Sequence, residues 1–292
     1  MASPQLGRQD GIALANPPSE NVAAHPSAGP EAAYWLPVAT IWWRELVHFY
    51  RQRSRMAGAL GTPLLFWLMI GAGFGDSFRT AGAGGAGTAG YLEYFFPGTV
   101  LLIVLFTSIF STMSVIEDRH EGFLLSVLVA PIPRSALVLG KVLGGSTLSL
   151  VQGLIFVALA PLVGLRFGLA GAMEITFVLF LISFALTALG FYFAWRIDSV
   201  QGYHGVMNLV LLPMWLLSGA LFPLSGAHTW IGWVMRANPL TYGLAALRSA
   251  FYGAPMPGMP ATAVSMAVMG IFGVLCLLAG LQLVSKPSAS AA

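Results

Sequence analysis

The chain has 292 residues, of which 57% are apolar and only 9% charged, where a typical soluble domain carries about a quarter charged residues. With a mean hydropathy of +0.79, this composition excludes a water-soluble fold and points to an all-α integral membrane protein. The net charge of +3 is small, and the basic residues lie beside apolar runs, which fits orientation in a bilayer rather than nucleic-acid binding.

Residues 1–33, rich in Pro, Ala, Gly and Ser, are expected to form a disordered cytoplasmic tail, and they lack the basic start and apolar core of a signal peptide. Residues 34–55 predict an amphipathic helix. At about 100° per residue, Arg44, His48, Arg51 and Arg55 share one face, while Val38, Trp42, Leu46, Phe49 and Tyr50 fall across the other. A basic helix with two tryptophans belongs in the membrane interface. Two roles stay open for it: a lipid anchor that orients the first span, or a polar face that also docks a cytoplasmic partner.

Residues 56–284 are expected to hold six spans of about 20 apolar residues each, at 56–75, 95–116, 142–163, 175–195, 206–222 and 261–284, followed by a cytoplasmic tail at 285–292. Pro63, Pro97 and Pro213 predict kinks. With a cytoplasmic N-terminus, only Arg79, Arg166, Arg236 and Arg248 of the 14 Lys and Arg fall outside, so both termini are placed inside. Apart from edge residues such as Glu174, His204 and Lys141, the last expected at the lipid boundary, the spans carry no Asp, Glu, Lys, Arg or His. An ion-driven carrier stores coupling energy on such groups, so this chain is not expected to drive transport alone. No internal repeat and no filter motif are visible either.

Between the second and third spans stands EDRHEGFLLSVLVAPIPRSALVLGK, residues 117–141. Its acidic residues bunch where a helix leaves the bilayer. The run 123–129 is too short to cross and too apolar to stay in water alone, so a short amphipathic helix is expected, lying on lipid or inserted into a protein groove. Ala130-Pro131-Ile132-Pro133 ends it, and Ser135 is expected to cap the next helix. Between the fifth and sixth spans, residues 223–260 are apolar but broken by Gly and Pro. Their pieces, 229–236 and 240–252, are too short to span and are expected to be two re-entrant helices forming an outer lid. Trp230, Trp233, Tyr242 and Tyr252 belong to that lid or to an interfacial aromatic belt.

These two stretches resemble the type-2 ABC exporter permeases. The first is similar to that family's cytoplasmic loop through Glu117, Arg119, Glu121, Gly122, Pro131, Pro133, Arg134, Leu139, Gly140 and Lys141, although Phe123 and Ser126 stand where many members have Thr and an acidic residue. The second is similar to its Ser-Gly-x-x-Phe-Pro segment, at Ser218, Gly219, Phe222 and Pro223, and to its Asn-Pro-Leu-Thr-Tyr block, at Asn238 to Tyr242 with Leu247 and Arg248 following. The resemblance implies a permease dimer, homo- or heterodimeric, docked on two ABC ATPase subunits in the cytoplasmic membrane, as a multi-pass and bacterial protein.

ATP and Mg would then sit on the partner, since the chain has no G-x-x-x-x-G-K-[ST]. The coupling loop implied is Glu117, Asp118, Arg119, Glu121, Gly122, Phe123, Leu124, Pro131 and Arg134, with docking by Arg44, His48, Arg51 and Arg55. A path between two copies would be lined by spans one, two and five. Phe66, Trp67, Phe106, Phe110, Asn208, Met214, Trp215 and Ser218 are candidates by type, with Asn238 and Tyr242 at the lid, because apolar walls with a few polar groups suit an amphiphile. Ordinary helix packing is the competing explanation for each of them. A non-transporting membrane partner would be expected to carry a large outer domain. An intramembrane enzyme would need more than the lone His204 and His228 and a Ser218 without a Gly-x-Ser-x-Gly setting.

Overall fold

The computed structural model describes residues 30–80, 91–224, 228–255 and 258–285. The two expected tails fall largely outside them, although residues 30–33 and Ser285 are helical. Among the described residues the regular elements are all helices: α1 (Pro30–Arg51), α2 (Arg53–Thr80), α3 (Tyr91–Thr112), α4 (Ser114–His120), α5 (Phe123–Val129), α6 (Arg134–Val157), α7 (Leu169–Arg196), α8 (Val200–Trp215), α9 (Thr229–Ala237), α10 (Pro239–Tyr252) and α11 (Thr262–Ser285). A 3-10 turn follows α6 at Ala160–Val163, and a π turn extends α8 over Leu216–Ala220.

Four stretches are long and apolar enough to cross a membrane: Tyr91–His120, Arg134–Val157, Leu169–Arg196 and Thr262–Ser285. Met56–Gly71 is a shorter apolar helix, and α8 has 16 residues before its π turn. Each of the six expected spans therefore coincides with a helix, and four of these helices are long and apolar enough to cross a bilayer by length and composition. Pro63, Pro97 and Pro213 lie inside α2, α3 and α8 as expected.

The core runs along α3, which is buried over most of its length between α2, α6 and α7. Apolar burial alone discriminates poorly between partners in lipid, so polar side chains and small residues specify the packing. Thr107 donates to Gln152 Oε1 at 2.6 Å, the Ser108 and Ser149 hydroxyls meet at 3.0 Å, and Thr112 meets the Tyr203 hydroxyl at 2.6 Å. These contacts tie α3 to α6 and to α8.

The helix expected at 34–55 breaks at Gln52, so α1 ends at Arg51 and α2 starts at Arg53. Its buried stripe is Val38, Ile41, Glu45 and Phe49, while Tyr50, expected on the apolar side, is 71% exposed. The correction follows from where α1 lies: it packs along α6, over glycines that admit no side chain. A Cβ at Gly140 would meet Ile41 Cβ at 2.8 Å, and one at Gly144 would meet Glu45 Cβ at 2.7 Å. Gly144→Leu is expected to push α1 off α6 and to destabilise the protein by about 1–3 kcal/mol. Thermal unfolding in detergent measures this, and an unchanged midpoint would contradict the packing.

Candidate functional site

The expected lipid-facing Lys141 is instead buried, with 3% of its side chain exposed, at the centre of an ion cluster. Its ammonium has three donors and no acceptor. It donates to Asp118 Oδ2 and to Ser114 Oγ at 3.1 Å, and forms an ion pair with Glu45 Oε1 at 2.8 Å. Ser114 in turn donates its hydroxyl to Glu45 Oε2 at 2.6 Å. Arg44 grips Asp118 with both guanidinium nitrogens, at 3.0 and 2.5 Å, in the fork geometry that favours arginine over lysine. Burial alone would lower the Arg44 pKa, but the Asp118 carboxylate outweighs it and raises the value above the ordinary one. Two cations and two carboxylates thus cancel where α1, α4 and α6 meet.

The same cluster positions the loop expected at 117–141. Arg44 lies 3.7 Å from the centre of the Phe123 ring, a cation–π contact at the first residue of α5. Gly122 supplies the turn between α4 and α5, with φ +78, a conformation that L side chains rarely adopt. The expected helix over 123–129 is present with those bounds, and it stops at Ala130 in extended backbone, ahead of Pro131. The next helix begins at Arg134 after Pro133, and no side chain caps it, so the cap expected from Ser135 is not made.

Leu124 turns inward and belongs to a small cluster with Ile41 and Leu137. On the opposite side Leu125 is 66% and Val129 84% exposed, and Glu121, Ser126 and Pro131 are exposed with them. The remaining charges mostly serve the fold. Arg119 donates to Asp198 at 2.6 Å and to the Trp195 carbonyl at 2.7 Å, fastening α4 to the α7–α8 turn. Arg134 donates to the Val284 carbonyl at 3.0 Å, at the C-terminal end of α11 where a cation is favoured. His48 lies 3.8 Å from Glu117 and 2.6 Å from the Gln52 amide. Arg51 is exposed, and the side chain of Arg55 lies outside the described residues.

At the far end of α3, the expected pieces at 229–236 and 240–252 are present as α9 and α10. Their motif residues repair a break. Gly219 has φ +93 inside the π turn, which frees carbonyls that must find donors away from water. Asn238 Nδ2 donates to the Met214 carbonyl at 2.6 Å, Arg248 and Tyr94 to that of Gly219 at 3.0 and 3.2 Å, and Tyr91 to that of Leu221 at 3.0 Å. The Asn238 Oδ1 also accepts from Leu240 N at the start of α10. Tyr242 donates to the Arg236 carbonyl at 2.9 Å. Arg248 is 1% exposed and stacks on the Tyr94 ring, with its guanidinium carbon 4.3 Å from the ring centre.

The path candidates divide by position. Trp67, Trp215 and Ser218 are buried inside the chain. Trp67 donates to the Leu92 carbonyl, Trp215 to that of Gly98 and Ser218 to that of Trp215. Phe66 and Asn208 are exposed, and Phe106, Phe110 and Met214 are half-buried. Met214 and Asn238 border an open apolar groove of about 330 Å3 between α8 and α9.

Sequence reasoning missed Glu45, Ser114 and Asp198 as partners. The signal for Glu45 was available: it stands in register with Val38, Ile41 and Phe49, a carboxylate on an otherwise apolar stripe.

Comparison with known proteins meets this geometry from another side. A family model described as ABC-2 type transporter matches residues 37–252, from α1 to the last residue of α10. The chain is 25% identical over 251 residues to the daunorubicin resistance ABC transporter permease protein DrrB1 of Streptomyces coeruleorubidus, covering 84% of this chain and 81% of that protein. It is 24% identical over 229 residues to the inner membrane transport permease YadH of Escherichia coli K12, covering 75% and 84%.

Proposed function

Because this chain belongs to the ABC-2 type transporter family, as one of its membrane permease subunits, we propose that it is driven by ABC ATPase subunits that grip α5 from the cytoplasm and that it exports a hydrophobic or amphiphilic compound. The observation that carries the reading is the two-sided loop helix. Leu125 and Val129 stand out from the protein one helical turn apart, while behind them Arg44, Asp118 and Lys141 fix the helix that leads into α5. An apolar pair presented on a braced helix suits insertion into a protein groove.

In the full assembly two copies, identical or paralogous, span the membrane with six helices each and sit on two ATPase subunits, which hold ATP and Mg. Both termini are cytoplasmic, α9 and α10 re-enter the outer leaflet, and the membrane is a bacterial inner membrane. The exposed α2 residues Leu65, Phe66, Leu68 and Met69, together with Asn208 on α8, supply apolar wall and a polar group for the path between copies. A relative named for daunorubicin resistance supports a large amphiphile as cargo.

Leu125→Asp together with Val129→Asp is expected to weaken ATPase association at least tenfold, since two buried aliphatic side chains contribute about 1.5–3 kcal/mol each, while membrane insertion and thermal stability stay unchanged. Pull-down of the co-expressed ATPase by the full chain measures this. Association and uphill transport at the unmodified level would end the reading.

A further inference from the structure

We propose that the outward groove on α1 binds the headgroup of an anionic phospholipid of the cytoplasmic leaflet. The groove has a volume of about 540 Å3 and is lined by Thr40, Trp43, Arg44, Val47, His48, Arg51 and Gln52. Its inner rim is the coupling cluster, since the same Arg44 and His48 face Asp118 and Glu117 on their other side. The Arg44 charge is therefore spent on Asp118. Arg51, in the groove's lining, and Arg53, two residues further along the chain, are exposed, and among the described residues neither pairs with a carboxylate, so net positive charge remains at and beside the groove.

Three further observations favour a lipid over an acidic protein surface. Trp35, Trp43 and Tyr50 are 58%, 61% and 71% exposed, and exposed tryptophan and tyrosine beside arginine is the composition of a membrane interface. Arg51 and Arg53 flank the break at Gln52, immediately before the apolar stretch of α2 that runs through Met56–Gly71. Basic residues at the mouth of an apolar stretch are placed to meet the headgroup layer. Finally, the cytoplasmic leaflet carries the anionic lipid that attracts basic residues near spans. The consequence is that membrane charge is felt beside the residues that hold the coupling loop.

The proposal rests on the cytoplasmic placement of α1, and its test needs no ATPase, so it can fail separately from the docking of α5. The full chain is reconstituted in phosphatidylcholine vesicles with spin-labelled phosphatidylglycerol or spin-labelled phosphatidylcholine, and the motionally restricted fraction gives the relative association. Phosphatidylglycerol is expected to be preferred, with the preference shrinking in about 0.5 M salt as exposed charges are screened. It is expected to fall at least threefold in the Arg51→Gln, Arg53→Gln variant, because each arginine contributes a factor of about five near an anionic surface. Arg236→Gln, at the opposite end of the molecule, should leave it unchanged. Equal association of the two lipids, or a double variant that keeps the preference, would overturn the proposal.

Discussion

Replacing Lys141 by methionine is expected to destabilise the protein by about 3–5 kcal/mol, the usual cost of removing one partner from a buried ion cluster. The variant leaves Glu45 and Asp118, which are 4% and 0% exposed, with only the Arg44 guanidinium to balance two carboxylates, and it strips Ser114 of the proton donor it accepts from. Thermal unfolding in detergent should show a drop on the order of 10 °C. Lys141→Met combined with Glu45→Gln restores neutrality and should recover a large part of the loss. That recovery, read as a double-mutant coupling, separates an electrostatic keystone from a lysine that merely fills space. A Lys141→Met protein as stable as the parent would remove the cluster from the fold, and with it the brace behind α5.

The functional weight of the cluster follows from its address. Glu45 and Arg44 come from α1, Asp118 and Ser114 from α4, and Lys141 from α6. Under the proposed docking of α5, a push on it would reach α6 through these contacts, with α4 also tied to the α7–α8 turn by Arg119. For the double variant that regains stability, transport is therefore expected to depend on how well the three helices still move together.

Much of this end of the molecule was legible in the sequence. The bounds 123–129 could be set because an apolar run too short for a bilayer sits between Gly122 and an Ala-Pro-Ile-Pro stop, and both punctuations are local. The α9 and α10 pieces were readable for the same reason. Lys141 was not, because a lysine beside an apolar span looks the same whether it snorkels to lipid headgroups or meets carboxylates 23 and 96 residues earlier in the chain. Tyr50 was misplaced because the amphipathic count assumed lipid under the apolar face, whereas α6 lies there and Gly140 and Gly144 decide which residues fit against it. The break at Gly219 left little local trace: Ser-Gly-Ala continues a helix as readily as it ends one, and the donors that stabilise the break come from α3, from α10 and from Asn238 at the junction of α9 and α10.

Those donors make Arg248 the second position of large effect. The guanidinium is buried beside the carbonyl end of α8 and its π turn, where the aligned peptide dipoles favour a cation. It supplies the Gly219 carbonyl with a donor at 3.0 Å and rests on the Tyr94 ring. Arg248→Met removes the donor, the cation and the stacking surface together, leaving Tyr94 at 3.2 Å as the remaining side-chain donor to that carbonyl. A loss of about 2–4 kcal/mol is expected from an unsatisfied buried group and a vacated charge site. Arg248→Lys keeps a cation and one donor but lacks the planar fork that can bond and stack at once, so it should lie between Met and the parent in both thermal stability and transport. The order matters more than either value. If lysine is as poor as methionine, the geometry of the guanidinium against Tyr94 is what holds the broken end of α8. If methionine is as good as arginine in both measurements, the carbonyls at the break find water or lipid headgroups instead, and α10 is not the brace of that end of the membrane domain.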